Sequence, residues 1–214
     1  QTGMEFLLRW FHYTGAIFWM GLLWYFNFIQ TLYFQEADDS AKKSAVRLLV
    51  PKALWWFRWS SVLTFVTGLF ILLMKGHQFG EGIFQSSWGV MILTGTIMGT
   101  FMIFNVWFII WPNQKIIIAN ANGNPIPGSD PVAAGAFGLR ASRHNALLSL
   151  PVIFMMAAAG HLPVNVANPN RVFTALIINF LIILLIEINA LKGKLGPLAT
   201  TRGVIHMSVL LSII

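Results

Sequence analysis

Five histidines, His12, His77, His144, His161 and His206, are the residues of this sequence best suited to chemistry. A neutral imidazole offers one nitrogen lone pair to a metal and one N–H to an acceptor. The apolar runs around them sort them into two groups. His12, His77 and His161 fall toward one end of the expected helices, and His144 and His206 toward the other. Histidines at both ends of an apolar bundle are the arrangement expected of b-type haem sites, where imidazoles from facing helices take the axial positions. An outer and an inner haem would then form an electron path across a bilayer. His12 carries most weight, because it sits inside the apolar run from Trp10 to Gly21, and polar groups at membrane depth are costly and usually functional. Gly15 and Ala16 follow it on the same helix face, where small residues admit either a flat ring or a neighbouring helix. His77, in a connection, reads as an interfacial residue with one nitrogen in water.

Glu187, in the run Leu-Leu-Ile-Glu-Ile-Asn, is the other ionisable group expected within a helix. It reads as a carboxylate that either snorkels or pairs with Lys192 or Arg143, and otherwise as a proton-relay group. Gly89, Gly95 and Gly99 read as helix-packing positions. Met20, Met155 and Met156 do not form the tight methionine spacing a copper pathway would use. No nucleophile–base set, phosphate loop or paired carboxylates appear. The sequence contains no cysteine, which excludes disulfides, thiolate zinc sites, iron–sulfur clusters and c-type haem attachment within it.

Long apolar helices must position these groups. Of 214 residues, 57% are hydrophobic and 10% charged, against about 25% charged in soluble domains. A chain this apolar calls for lipid as its solvent. The fold class expected is all-α, a polytopic transmembrane helical bundle of five to six spans, forming one transmembrane domain over residues 1–214. With about 20 apolar residues per crossing, the spans fall near 4–34, 53–74, 88–111, 144–162 and 172–191. A sixth, 203–214, is incomplete, and is read as a segment that continues past the sequence rather than as a re-entrant half-helix. The apolar start is too long for a cleavable signal peptide and reads as the first span. A short interfacial helix over 35–47, capped by Ser40, follows it. Trp55, Trp56 and Trp59 mark an interface at the start of the second span. Pro112 is expected to stop the third span, and Pro151 to kink the fourth.

The net charge of +7 invites a nucleic-acid reading, but the placement of the basic residues argues against it. Lys42, Lys43, Arg47, Lys52, Lys115, Arg140, Arg143, Lys192, Lys194 and Arg202 fall on one side, and only Arg9, Lys75 and Arg171 on the other. The positive-inside rule then puts the N-terminus outside, in a bacterial inner (plasma) membrane, with the lipid bilayer as partner and no nucleic acid.

Three segments carry a family likeness. These are Arg9-Trp-Phe-His-Tyr-Thr-Gly-Ala-Ile-Phe-Trp-Met-Gly, Asn105-Val-Trp-Phe-Ile-Ile-Trp-Pro-Asn-Gln-Lys, and Ala141-Ser-Arg-His-Asn-Ala-Leu-Leu-Ser-Leu-Pro-Val-Ile-Phe. They resemble the N-terminal membrane domain of the bacterial urate oxidase family whose members carry a C-terminal cytochrome c domain. A weaker likeness, through the first-helix histidine and Gly68-Leu-Phe, reaches the wider superfamily of the copper-resistance membrane protein and the haem-binding protoporphyrinogen oxidase. The resemblance implies a membrane redox protein working with a cytochrome c. His12, His144 and His161 fall on its matching positions, and with His206 they are the candidate haem ligands. The sequence has no Cys-x-x-Cys-His and fewer spans than the family domain, so the cytochrome c is expected on another polypeptide and urate as substrate is left open. The expected function is a membrane redox subunit that binds haem b and exchanges electrons with cytochrome c in a respiratory or oxidase assembly. The alternative is a haem-free accessory subunit that stabilises a larger membrane complex. A copper or small-solute permease is a third reading.

Overall fold

The computed structural model describes residues 2–162, 166, 168 and 170–213, and every regular element among them is helical. Helix α1 (Thr2–Trp24) runs through a π-helical turn at Tyr25–Gln30 into α2 (Thr31–Glu36). Backbone angles stay helical at both joints, so these pieces form one rod. Then come α3 (Asp39–Leu48), α4 (Val50–Phe79) and a 3₁₀ turn at Glu81–Gln85. Helix α5 (Ser87–Phe104) continues through a second π turn, Asn105–Ile110, into α6 (Trp111–Ala121). Helices α7 (Pro131–His161), α8 (Asn170–Lys192) and, after a 3₁₀ turn at Gly196–Ala199, α9 (Thr201–Ile213) complete the chain. Among the described residues, three segments are long and apolar enough to cross a membrane: Val50–Phe79, Ser87–Ala121 and Arg171–Lys192. The outward face of the last is greasy, with Phe173 71% and Leu185 66% exposed.

Several boundaries differ from the sequence expectation for local physical reasons. The third span does not stop at Pro112. A proline inside a helix crowds the carbonyl four residues back and leaves it without a donor. Here it falls just after a π turn, where the hydrogen-bond register is already widened by a residue, and the rod runs on to Ala121. The fourth helix begins at Pro131 rather than near His144. The Asp130 side chain caps it, accepting from the Val132 and Ala133 backbone N–H groups at 2.8 and 3.1 Å, and proline suits a first helical turn. The cap of α3 is Asp38, not Ser40. Its carboxylate accepts from the Ala41 N–H at 2.9 Å, which holds it below the ordinary Asp pKa.

Pro151 lies buried inside α7. Its missing N–H deprives the Leu147 carbonyl of a donor, and the Ser208 hydroxyl of α9 supplies one at 2.7 Å. A polar group in an apolar bundle thus finds its partner on another helix. α7 is the central post, touching α1, α5, α6, α8 and α9. Leu23, Phe57, Met102, Leu148 and Val204 fill the core around it. Arg140 on α7 donates to the Ala190, Leu191 and Gly193 carbonyls at 2.7, 2.7 and 3.0 Å, capping the end of α8 with a guanidinium.

Helix α1 packs antiparallel on α4, and Gly15 sets how closely. A Cβ there would stand 2.6 Å from Thr64 Oγ1 and 3.2 Å from the Ser60 carbonyl. Gly15→Ala must push the two helices apart, at a cost of about 1–3 kcal/mol. The measurement is the thermal midpoint of the purified protein in detergent. Gly21→Ala, on the same helix with open space around it, is expected to leave that midpoint unchanged.

Candidate functional site

A cavity of about 1100 Å³ lies among α1, α4, α5 and α7. It is slightly larger than the roughly 300–1,000 Å³ typical of cofactor pockets. His12 and His161 both line it. The residues around each ring fix its tautomer. His12 Nδ1–H donates to the Thr64 carbonyl at 2.8 Å, across the close α1–α4 contact that Gly15 permits. His161 Nδ1–H donates to the Ala157 carbonyl one turn earlier on α7, at 3.0 Å. A carbonyl only accepts, so both protons sit on Nδ1 and both lone pairs on Nε2. Neither Nε2 has a hydrogen-bond partner among the described residues. An imidazole oriented through Nδ1–H with Nε2 unengaged is the form that ligates a metal.

The walls are apolar and locally thin. Gly68 sits against the His12 ring, where an added Cβ would come 3.0 Å from Cε1. Gly99, expected to pack helices, has no side-chain neighbour within 4 Å of an added Cβ and instead opens the α5 wall of the cavity. Gly95 does pack, against Met156, and Gly89 lies over the backbone of Phe84. The two readings of the small pair after His12 also separate: Gly15 seats α4, while Ala16 faces the cavity.

Arg9 and Lys75 line the same cavity. Both reach Glu5 Oε1, Arg9 through Nε and Nη2 at 2.9 Å each and Lys75 through Nζ at 2.9 Å. Two cations on one carboxylate leave one positive charge uncompensated. The sequence reading did not single out this triad. The Glu5–Arg9 spacing of four residues was a legible signal for a helical pair. Nothing local points to Lys75, which arrives from the far end of α4.

The remaining candidates lie elsewhere. His144 is buried in a polar hub at the opposite end of the bundle, and both its nitrogens are engaged. Nδ1–H donates to the Arg140 carbonyl at 2.9 Å, and Nε2 accepts from Asn189 Nδ2 at 2.8 Å. His206 on α9 and His77 in the last turns of α4 are exposed and do not line the cavity. His77 belongs to the helix rather than to a connection. Glu187 makes no ion pair with Lys192 or Arg143 among the described residues. It is 3% exposed and accepts from Asn105 Nδ2 at 2.9 Å. Lys192 lies five residues on, about 140° around the helix from Glu187, too far round to share its face.

Asn105 opens the second π turn and also donates to Asn145 Oδ1 at 2.9 Å, while Asn145 donates to the Met102 carbonyl at 2.9 Å. Asn27, in the first π turn, donates to Ser142 Oγ at 2.8 Å, and its own carbonyl accepts from Arg143 at 3.3 Å. The Ser142-Arg143-His144-Asn145 run is therefore a knot of buried hydrogen bonds that ties α7 to both π turns and to α8.

The chain matches no curated protein and no solved structure. Residues 75–211, well over half of it, match the urate oxidase N-terminal family. With its apolar helices and the Ser-Arg-His-Asn knot inside the matched region, the chain belongs to the urate oxidase N-terminal family.

Proposed function

We propose that this chain is a membrane-embedded redox subunit that holds b-type haem between His12 and His161 and exchanges electrons with a cytochrome c outside the membrane. The observation that carries the reading is the pair of imidazoles from different helices, lining one cavity, each with Nδ1–H anchored on a carbonyl and Nε2 unengaged. Family membership supports a redox role. Haem, when bound, supplies one-electron exchange at its iron. The chain's own residues do the rest. The Thr64 and Ala157 carbonyls hold the ring tautomers that leave the Nε2 lone pairs free to ligate. Gly68, Gly99 and Ala16 give a flat ring room, and the apolar walls exclude water.

In this reading five helices cross the bilayer: the α1–α2 rod, α4, the α5–α6 rod, α7 and α8. The N-terminus lies outside, because the end bearing Lys42, Lys43, Lys115, Arg140 and Lys192 carries most of the basic residues. The cavity is at the opposite end, the side on which a periplasmic cytochrome c would dock.

A visible absorption spectrum of the purified protein tests the proposal. Reduction by dithionite should sharpen a Soret band and develop α and β bands of a bis-imidazole haem. A colourless preparation, from cells supplied with haem precursor, would overturn it and favour the haem-free accessory reading.

A further inference from the structure

We infer that Arg9 and Lys75 form a carboxylate-binding subsite of this cavity, held ready by Glu5, and that it receives the acidic edge of the porphyrin. This inference rests on the haem reading above. Apart from its two imidazoles the cavity is apolar over most of its wall, and its fixed cations are gathered at the end where α1 begins and α4 finishes. Arg9 lies three residues before His12, on the same face of α1. A ligand seated on His12 with its apolar body among Gly68, Gly99 and Trp88 would therefore have Arg9 and Lys75 within side-chain reach of one edge. That distribution fits an amphiphile: a flat apolar body with anionic groups along one side. An uncharged isoprenoid quinone could accept hydrogen bonds there but would leave the positive charge uncompensated.

The geometry of the triad also says how the subsite works. Lys75 is only 15% exposed at its side chain, and its ammonium meets a single carboxylate oxygen, Glu5 Oε1, that Arg9 already occupies twice. Glu5 thus fixes two cations in position without neutralising both. An incoming carboxylate takes the uncompensated charge, and the guanidinium can bind it through two parallel N–H groups. Glu5 then competes with the ligand while pre-organising its partners.

The test compares ferric protoporphyrin IX with its dimethyl ester, which keeps the ring and iron but lacks the carboxylates. Each is titrated into the full chain, purified from haem-starved cells in a neutral detergent, and binding is followed by the Soret band. The diacid is expected to bind about 10- to 100-fold more tightly than the diester, the gain from charge-assisted hydrogen bonds to Arg9 and Lys75. Lys75→Gln should shrink that ratio at least several-fold while leaving diester affinity nearly unchanged. Glu5→Gln should raise the ratio, since it removes the competitor, whereas a purely structural triad would lose affinity for both ligands. Equal affinity of diacid and diester for the wild-type chain, or a ratio unaffected by Lys75→Gln, overturns the subsite and leaves the haem reading standing. Failure of both ligands to bind overturns the subsite and the haem reading together.

Discussion

With haem held as proposed, purified His12→Ala protein is expected to lose it, the Soret absorbance per chain falling to background. Removing a partner that merely orients a metal ligand costs roughly 10- to 100-fold in metal affinity, and removing the ligand itself costs more. His12 is the half-buried member of the pair, braced across the α1–α4 contact by the Thr64 carbonyl, with Thr67 Oγ1 also 3.4 Å from Nδ1. His161 is exposed at the end of α7, so His161→Ala is expected to weaken haem retention less and to shift the spectrum toward high spin. Haem and imidazole added together to the His12→Ala protein should restore binding and a low-spin spectrum, because the void left by the ring opens into the cavity. His144→Ala and His206→Ala serve as controls. Both should keep the wild-type spectrum, because His144 already spends both nitrogens on Arg140 and Asn189, and His206 lies off the cavity. Loss of the spectrum in His144→Ala, with the protein still folded and His12→Ala unaffected, would move the haem to the other end of the bundle.

The largest effect on stability is expected at Asn105, which has no exposed surface and whose Nδ2 serves both Asn145 and Glu187. Asn105→Leu conserves bulk but leaves two buried acceptors, Asn145 Oδ1 and Glu187 Oε2, without that donor. The cost should be roughly 2–4 kcal/mol, from desolvated acceptors with nothing to pair with. Glu187→Gln keeps an acceptor for the Asn105 amide and should cost less than about 1 kcal/mol. Thermal unfolding of the purified proteins in one detergent measures both. A fall of about 5 °C or more for Asn105→Leu is expected of a chain of this size. A shift under about 2 °C would mean that water or a rearranged side chain satisfies those acceptors. The contrast also separates the two readings of Glu187. A structural acceptor tolerates the amide, whereas a proton relay would keep its fold and lose its transfer.

Two of the three segments that suggested the family, around Asn105 and around Ser142–Asn145, owe their character to this hub rather than to the cavity. Asn27 and Asn105 each sit in a π turn, and each is met by a polar residue of α7. A π turn widens the helix by one residue and is often found where a function or a tight fit demands it. Here it turns an amide inward, gives the backbone room at Pro112 and anchors both rods to α7.

The sequence by itself determined that the chain is helical and apolar, with runs of bilayer length, and that His12 is an unusual residue for its surroundings. It counted five to six spans, of which the structure shows three helices long and apolar enough to cross among the described residues. The helical, apolar character and the place of His12 follow from composition and from the roughly 20-residue scale of apolar runs, which are local properties. The sequence read the end of the third helix and the start of the fourth wrongly. Pro112 breaks a helix only when the hydrogen-bond register around it is regular, and Asp130-Pro131 is a start signal hidden in a turn-rich stretch. Tertiary structure alone decided which histidines share a cavity, that His144 is a satisfied buried group, that Glu187 faces Asn105 rather than a cation, and that Lys75 joins Arg9 on Glu5. Those pairings join residues as far apart as 149 positions along the chain, from His12 to His161. No periodicity reports them, because the rotation of each helix about its axis is set by packing against its neighbours.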